Sequence, residues 1–285
     1  MTTDTTDATA PAVGAPEVDG GELVLSIRDL NVTFATEDGP VHAVRGMDMD
    51  VHAGEILGIA GVAGNGQDEL FAALSGERLA PQNSQIVIDG NAAGSLSITE
   101  RRRLGAAFVP EERLGHATVP RFKLSDNALI SGHAASGMVQ HGFVDKSVML
   151  SVVDQTTTKF DVRKSKRDPE AVSLSGGNLQ KYVVGREILR EPGVLIVSQP
   201  TWGVDAGAAA VIRQALIDLA SRGTAVLVVS QDLDELAEIA DRIAVMFHGH
   251  LSDPLEAAAA TREKLGLLMG GASAVQPEAT HAVGA

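Results

Sequence analysis

The glycine-rich segment at residues 61–66 constrains the fold of this chain more than any other feature. An apolar run at 55–60 (EILGIA) leads directly into GVAGNG, and from Gln67 onward apolar residues recur at helical spacing. A strand, a glycine loop and a helix in this order bring backbone N–H groups and a helix N-terminus to one point, where they can hold a phosphate. The loop alone is weak evidence, because a tight strand-to-helix turn in any α/β protein has the same pattern.

Composition narrows the class of protein further. The chain has 285 residues with 44% hydrophobic content, enough for one sizeable core or for a main domain with a smaller subdomain. A net charge of −14 disfavours binding to nucleic acid or anionic lipid. The absence of cysteine excludes disulfides, thiolate metal sites and cysteine nucleophiles. We find neither an apolar run of 18 residues nor the pattern of a secretory signal, so we expect a cytoplasmic chain whose membrane contact goes through a partner.

The distribution of apolar residues predicts an α/β fold between two tails. Residues 1–21 and 271–285 are poor in bulky apolar side chains, and we expect both to be disordered. Between them, short apolar strands alternate with helices, which is typical of a mainly parallel sheet. The predicted strands are 23–28, 41–51, 55–60, 85–89, 106–109, 194–197, 224–229 and 243–247. The predicted helices are 206–221, 232–240 and a helix-rich insert over 124–189, with Ser125, Asp145 and Ser175 as N-caps.

Three further motifs strengthen the evidence from the glycine loop. LSGGNLQK occupies 174–181, an apolar strand ends in SQPTWGVD at 198–205, and a second apolar strand ends in SQD at 230–232. Gln199 follows Ser175 by 24 residues, and Gln231 follows Asp205 by 26. In order and spacing these motifs resemble the ATP-binding cassette (ABC) family of transporter ATPases over about residues 23–270.

The resemblance implies an architecture and a branch of the family. It implies a P-loop NTPase cassette over 22–270, with a RecA-like, mainly parallel core sheet, an antiparallel β subdomain and a helical subdomain inserted at about 115–190. The segments GVAGNGQ, VPEERLGHATVP, LSGGNLQK and QPTWGVD look like the carboxy-terminal cassette of the fused ATP-binding proteins of sugar and nucleoside importers. The Gly-Asn-Gly-Gln sequence in the loop points to the nucleoside branch.

The same resemblance assigns roles to individual residues. Glu111 falls on the glutamine of the Q-loop, Ser198 and Gln199 on the end of Walker B, and Gln231 on the switch histidine. Phe34 is a candidate for stacking on adenine, with core packing as the alternative. Contacts to ATP fall on the Walker A residues Gly61, Gly64, Asn65, Gly66, Gln67 and Asp68. The family signature, which receives a partner's ATP, falls on Leu174, Ser175, Gly176, Gly177 and Gln180, and the D-loop falls on Asp205.

Several of these positions depart from an active cassette. A phosphate loop normally ends in lysine followed by serine or threonine, whose ammonium group neutralises phosphates and whose hydroxyl ligates magnesium. Here Gln67 and Asp68 stand in those places, and Ser198 and Gln199 replace the Asp-Glu pair that holds magnesium and polarises water. We therefore predict very slow hydrolysis at this site, with weak ATP binding retained. As a hypothesis, Asp68 carries Mg²⁺ in place of the missing Walker B aspartate, although it would also repel the phosphates.

The signature, by contrast, is intact. In this family two cassettes pair head to tail, and each ATP lies between the Walker motifs of one and the signature of the other. We therefore expect a heterodimer with a second cassette whose Walker and switch residues are complete. The resemblance also implies transmembrane permease subunits, a solute-binding protein acting indirectly, and a location on the inner face of the cell membrane.

Alternatives stay open at this point. We expect a cassette subunit of an importer for nucleosides or simple sugars, and three alternatives compete with it: an active ATPase in its own right, a non-transport ABC protein, and a structural pseudo-cassette that binds no nucleotide. The segment between Glu111 and Ala128 is either the permease-facing surface or an irregular surface loop. Trp202 stands where related importers commonly carry arginine, and an interface anchor is one role for it. His248 and His250 have no third ligand nearby in sequence, so we expect no metal site there.

Overall fold

The structure is a computed structural model that describes residues 21–36, 39–134 and 137–271. The two predicted tails lie outside these residues except for Gly21 and Gly271. The strands are β1 Leu23–Thr36, β2 Gly39–His52, β3 Ile56–Ala60, β4 Ile86–Ile88, β5 Asn91–Ala92, β6 Ala106–Val109, β7 Val139–Gln140, β8 Phe143–Val144, β9 Val194–Ser198, β10 Ala225–Ser230, β11 Arg242–Phe247, β12 His250–Leu251 and β13 Leu255–Glu256. The helices are α1 Gln67–Ser75, α2 Ile98–Arg103, α3 Leu124–Gly132, α4 Lys146–Lys159, α5 Gly176–Ile188, α6 Ala206–Ala220, α7 Leu233–Ile239 and α8 Arg262–Met269, with 3-10 turns at Asn83–Gln85, Ala171–Ser173 and Ala257–Ala259.

The central sheet has the order β12-β11-β3-β10-β9-β6, and β13 also pairs with β11. The pairs that join β6, β9, β10, β3 and β11 are parallel, whereas β12 and β13 run antiparallel to β11. Every residue of β3, β9 and β10 is buried, as expected for parallel strands covered on both faces. The predicted parallel core sheet is therefore confirmed.

A second, antiparallel sheet has the order β2-β1-β4-β5. Its first strand is longer than predicted, since β1 continues to Thr36 rather than ending at Arg28. The register of β1 against β2 shifts between Ile27 and Leu30, where Asp29 has φ +44° and its N–H donates to Asp48 Oδ1 at 2.9 Å. This irregularity interrupts the alternation of apolar and polar residues, which is why the sequence pattern ended there.

Two apolar cores lie on opposite faces of the central sheet. Successive strand residues point to opposite faces, so Leu195 and Val197 pack in one core while Val194 and Ile196 pack in the other. The first core includes apolar residues of α5, α6, α7 and α8, and the second joins α1 to the antiparallel sheet. The sheet thereby fixes the ends of β3, β9 and β10 as one rigid edge.

The helical insert contains α3, α4 and α5 together with the β7–β8 hairpin. Asp145 caps α4 as predicted, because its carboxylate accepts from the N–H groups of Ser147 and Val148. The prediction for Ser125 is wrong, since α3 begins at Leu124. Ser125 is buried and donates both its N–H and its hydroxyl to the Asp168 carboxylate, at 3.0 and 2.6 Å. Ser125 is therefore bonded to an aspartate distant in sequence and does not cap α3.

A buried ion cluster ties the insert to the core. Glu187 of α5 is fully buried and its carboxylate contacts Arg102, Arg186 and Arg190 at 2.8–2.9 Å. Burial by itself raises the pKa of Glu187, but the three guanidinium groups outweigh it and lower the pKa to about 2. The carboxylate therefore stays charged and links α2, through Arg102, to α5.

Candidate functional site

The glycine loop connects β3 to α1 as the sequence predicted. Gly66 precedes the helix with φ +111°, and a Cβ at this position would lie 2.1 Å from the carbonyl oxygen of Ala43. Only glycine meets both conditions, the left-handed backbone and the close approach. The loop therefore packs directly against β2, with the N-terminus of α1 behind it.

The side chain of Gln67 lies inside this loop. It is 9% exposed; its Nε2 donates to the Val62 carbonyl at 3.0 Å and its Oε1 accepts from the Asn65 N–H at 3.1 Å. Asn65 Nδ2 also donates to the Val62 carbonyl, at 2.8 Å. A backbone donor that a phosphate would use is thus engaged by the protein's own carboxamide.

The turn between β11 and β12 holds the loop from the other side. The N–H groups of His248 and Gly249 donate to the side-chain and backbone oxygens of Asn65, at 2.8 and 2.9 Å. His248 is thus a backbone partner of the loop. Asn65 is consequently the residue that fixes the loop to the edge of the central sheet.

Phe34 lies beside the loop. It is partly exposed and lines a pocket of about 170 Å³ together with His42, Gly64, Asn65 and His248. It belongs to neither apolar core of the described residues. Phe34 thus lies beside the loop and outside these two cores, and its stacking on adenine stays a prediction.

A larger cleft of about 850 Å³ brings several predicted site residues together. Its lining includes Asp68, Glu111 and Ser198 together with the signature residues Leu174 and Gly176. Burial, followed by the negative charge of Asp68, raises the pKa of Glu111, while Arg113 opposes the change. Two carboxylates therefore face one volume, an arrangement that repels phosphate.

Gln199 and Gln231, two further positions that differ from an active cassette, directly follow β9 and β10. Gln199 is buried and its Oε1 accepts from the N–H of Gln231 at 3.3 Å. Gln199 has φ +49°, an uncommon backbone for a residue other than glycine, and its N–H donates to the Val229 carbonyl at 2.8 Å. Neither amide can act as a general base, because a neutral carboxamide does not take up a proton near neutral pH.

The signature residues lie at the start of α5. Ser175 and Gly176 are exposed, Gly177 is partly exposed, and Leu174 packs against the core. The first N–H groups of a helix have no intrahelical partner, so these residues present donors to whatever lies in front of them. Gln180, by contrast, is fully buried; it accepts from Arg113 Nε at 3.0 Å and donates to the Pro200 carbonyl at 2.8 Å.

Asp205 and Trp202 follow β9. Asp205 accepts from the Ala208 N–H at 2.9 Å as the N-cap of α6, and this bond is the main reason that its pKa is lowered. Trp202 is 62% exposed on the wall of the large cleft, and its carbonyl accepts from the guanidinium of Arg113. Asp205 is thus engaged in capping α6, whereas Trp202 is available to a neighbouring molecule.

Sequence reasoning missed the roles of Arg113 and Asn178. Arg113 bonds both Gln180 and Trp202, and Asn178 Nδ2 donates to Ser175 Oγ at 2.8 Å. A signal for Asn178 was present, because a polar residue three positions after a helix-starting serine commonly bonds back to it. The partners of Arg113 are distant in sequence, and no local pattern indicates them.

Metal and membrane features are limited in the part of the chain that the structure describes. Within those ranges we find no group of three or more histidine, aspartate and glutamate side chains placed to hold a metal ion. Asp68 and Ser198 supply one carboxylate and one hydroxyl to the cleft, which are oxygen donors of the kind that magnesium prefers. Over the same described residues, no helix has the length and apolar character needed to cross a membrane.

The chain belongs to the ABC transporter family, whose model matches residues 44–202. Solved cassettes share its fold. A dimeric post-hydrolysis structure of the ATP-binding cassette MJ0796 with ADP and Pi has a TM-score of 0.71 at 18% identity, covering 82% of this chain and 98% of that one. The cbiO1 structure from Clostridium perfringens has a TM-score of 0.65 at 20% identity, covering 87% and 94%. The predicted cassette fold is therefore confirmed.

More particularly, the chain is homologous to ATP-binding proteins of sugar and nucleoside import. It is 37% identical over 264 residues to the guanosine import ATP-binding protein NupO of Bacillus subtilis, covering 93% of this chain and 51% of NupO. It is 37% identical over 252 residues to the nucleoside import ATP-binding protein NupA of Lactococcus lactis, covering 88% and 49%. The glucose import ATP-binding protein TsgD13 of Haloferax volcanii is 36% identical over 253 residues, covering 88% and 45%. The chain spans about half the length of these curated relatives.

Proposed function

We propose that this chain is a nucleotide-binding subunit of an ABC importer for nucleosides or simple sugars. Its own ATP site is degenerate, and its signature completes the ATP site of a partner cassette. The observation that carries the proposal is the contrast between the two helix starts: the Gln67 carboxamide fills the loop before α1, whereas Ser175 and Gly176 leave the start of α5 open. The names of the relatives, which specify import of guanosine, nucleosides and glucose, support the substrate class.

The case for a degenerate site is chemical. General-base assistance is worth about 10²–10⁴-fold in rate, and the residue in that place, Gln199, cannot supply it. The loop lysine, replaced by Gln67, would stabilise transferring charge by several kcal/mol in a closed site. ATP bound here has to displace Gln67 Oε1 from the Asn65 N–H, so occupancy is weak and turnover very slow.

Magnesium at this site depends on Asp68. Asp68 and Ser198 line the same cleft, and the carboxylate takes the role of the missing Walker B aspartate. Loss of Mg²⁺-dependent nucleotide binding in Asp68→Ala, with Asp253→Ala unaffected, would support this assignment. Unchanged binding in Asp68→Ala would end it.

The partner cassette follows from the same asymmetry. Two copies of this chain would combine two impaired Walker sets with two good signatures and would have no competent site. The partner therefore carries complete Walker A, Walker B and switch residues. The pair has one working site, formed by the partner's ATP and the residues from Leu174 to Gly177 of this chain.

We assign the permease contact to a groove of about 290 Å³ that is lined by residues of α1, α2, α3 and α5 and by the segment 116–119. Its rim carries Val119 and Ile130, which are exposed, and the exposed Phe122 lies on the same segment. Hydrogen bonds hold this loop to the rest of the chain: Val119 N–H donates to Asn127 Oδ1 at 2.8 Å, and Arg186 donates to the Ala117 carbonyl at 3.2 Å. A short helix of a permease subunit is the occupant we propose for this groove, and the chain would then lie at the cytoplasmic face of the membrane and be connected indirectly to a solute-binding protein.

One experiment separates the main alternatives. The chain is tagged and purified alone and as the complex that forms in its native host, and MgATP hydrolysis is measured for both. We expect background turnover from the isolated chain, turnover from the complex, and a large loss in the complex with Ser175→Ala. Ser173→Ala, a nearby exposed serine that bonds the Glu170 carbonyl, is the control.

Other results select another function. Robust turnover by the isolated chain makes it an active ATPase subunit. Titration with a fluorescent ATP analogue that detects no binding makes it a pseudo-cassette without nucleotide. Copurification without permease or second cassette favours a non-transport ABC protein, although the charge of −14 argues against a nucleic-acid partner.

A further inference from the structure

We infer that Asn178 fixes the direction in which the Ser175 hydroxyl donates its hydrogen bond, and is therefore a positioning residue of the signature. The inference rests on the proposed function, in which the start of α5 faces the triphosphate held by a partner cassette. It gives Asn178 a role in that function, together with a defined direction for the Ser175 proton.

The orientation of the Asn178 carboxamide is set by its neighbour. The backbone N–H of Arg163 donates to Asn178 Oδ1 at 2.8 Å. Because a backbone N–H can only donate, the atom that it meets must be the amide oxygen. The amide nitrogen then faces Ser175 Oγ, at 2.8 Å. The direction of this second bond follows from the first.

This direction determines where the serine proton points. A hydroxyl has one donor and two acceptor sites, and Asn178 occupies one acceptor site of Ser175. The proton therefore points away from Asn178. Ser175 is exposed at the helix start, so the proton is available to an anionic oxygen in front of α5.

The backbone of the same turn is also left available. An N-cap serine usually accepts from a backbone N–H of the first helical turn, but the Ser175 side chain makes no such bond in the described structure. The first-turn N–H groups and the Ser175 hydroxyl are therefore donors on the same helix end. An anion with several oxygens, such as a γ-phosphate, is the ligand that this set fits.

The segment that holds Asn178 is itself anchored. Lys181, which is buried, contacts the carbonyl of Asp161 and lies 3.5 Å from its carboxylate. This contact attaches the residues around Asp161 and Arg163 to α5, one turn after Asn178. Ser175 is therefore supported by several linked contacts, through Asn178, Arg163 and Lys181, rather than by a single exposed bond.

The test uses Asn178→Asp in the complex purified from the native host. Aspartate has the same shape and still accepts from the Arg163 N–H, but it also accepts from Ser175 and so turns the hydroxyl proton away from the partner's ATP. We expect the kcat for MgATP hydrolysis to fall about 10- to 100-fold, the effect of losing one hydrogen bond to a charged group. Asn178→Ala, which leaves the hydroxyl unfixed, should lose less.

A double-mutant cycle separates positioning from added charge. In the Ser175→Ala background we expect Asn178→Asp to change kcat less than twofold, because no hydroxyl remains to be turned. Asn91→Asp adds the same charge at a distant exposed position and is the matched control. An acidic residue in the first turn favours the helix, so we expect unchanged unfolding temperature and copurification; if Asn178→Asp does not assemble, Asn178→Ala completes the same cycle.

Each remaining outcome has one meaning. A full effect of Asn178→Asp in the Ser175→Ala background, or no effect while Ser175→Ala alone lowers kcat, overturns the positioning role and leaves the proposed function intact. No effect of Ser175→Ala itself overturns the proposed function.

Discussion

At the scale of single residues, the chemistry of this cassette depends on which hydrogen-bond donors already have a partner within the chain. Gln67 engages the loop with both ends of its carboxamide, and Gln199 and Gln231 bond each other. The sequence identified all three positions through their spacing. It could not indicate that the side chains of Gln67 and Gln199 would bond backbone N–H groups of the chain, because that depends on the curvature of the loop and on how β9 and β10 are paired.

Gln67→Ala should increase nucleotide affinity, although it removes a side chain from the binding loop. The Asn65 N–H becomes free for phosphate, and each hydrogen bond that no longer competes is worth about 0.5–1.5 kcal/mol, so we expect about a three- to tenfold lower Kd for ADP. The fluorescence of Trp202, the only tryptophan in the chain, reports binding because it lines the neighbouring cleft. The exposed Gln155→Ala is the control, and a higher Kd in Gln67→Ala would mean that the carboxamide contacts the ligand.

Glu187→Gln should destabilise the fold by about 3–5 kcal/mol, since it leaves three guanidinium groups around a neutral side chain. Urea unfolding measures the loss, with the exposed Glu191→Gln as the control.

The same residue predicts a pH dependence. The folded pKa of Glu187 is about 2, whereas the pKa of glutamate in an unfolded chain is about 4.3. The stabilisation is therefore complete above about pH 4.3 and is lost as the pH falls toward about 2. Unfolding free energies measured over this range should fall less steeply in Glu187→Gln than in the parent protein. Equal slopes would show that other carboxylates dominate acid unfolding.

At the scale of helices and strands, the helices differ in how their first turns are capped. Within the described residues, α2, α4, α6, α7 and α8 have N-caps whose side chains accept from the helix backbone: Ser97, Asp145, Asp205, Asp232 and Thr261. Three helices in these residues, α1, α3 and α5, have no such side-chain bond. Of these three, α1 and α5 begin at glycine-rich motifs and are the two helices whose N-termini are assigned to phosphate.

Asp145→Ala should therefore lower stability without affecting ATP hydrolysis, and Ser175→Ala should do the reverse. Loss of the Asp145 cap costs about 1 kcal/mol of stability and leaves ATP hydrolysis by the complex unchanged. Ser175→Ala should leave stability within about 0.5 kcal/mol and lower hydrolysis. Chemical denaturation and turnover of both variants test this, and a stability loss in Ser175→Ala as large as that in Asp145→Ala would make Ser175 an ordinary cap.

The elements also show where pattern reasoning succeeds. The strands β3, β9 and β10 were predicted within two residues of their bounds because they are uniformly apolar and buried on both faces. The end of β1 and the start of α3 were misplaced. In each case the determining partner, Asp48 for the bulge and Asp168 for Ser125, lies elsewhere in the chain.

At the scale of the whole molecule, the antiparallel sheet, the central sheet and the helical insert form a unit with exposed apolar residues at a groove. Phe122→Ser should abolish copurification of permease subunits while leaving the stability and nucleotide binding of the isolated chain unchanged, because Phe122 is 46% exposed. Phe143→Ser, at an 80% exposed phenylalanine on the β7–β8 hairpin, is the matched control. Loss of the permease in both variants would indicate a general effect of removing surface aromatic residues.

Arg113 has a consequence for motion. Because its guanidinium bonds Gln180 of α5 and the Trp202 carbonyl after β9, the helix that carries the signature and the segment that precedes α6 are fastened together. A conformational change that widened the distance between them would break both bonds and leave a half-buried cation unpaired. If the insert tilted relative to α1, Trp202 would move with it. A molecule bound to Trp202 would therefore be coupled to the orientation of α5.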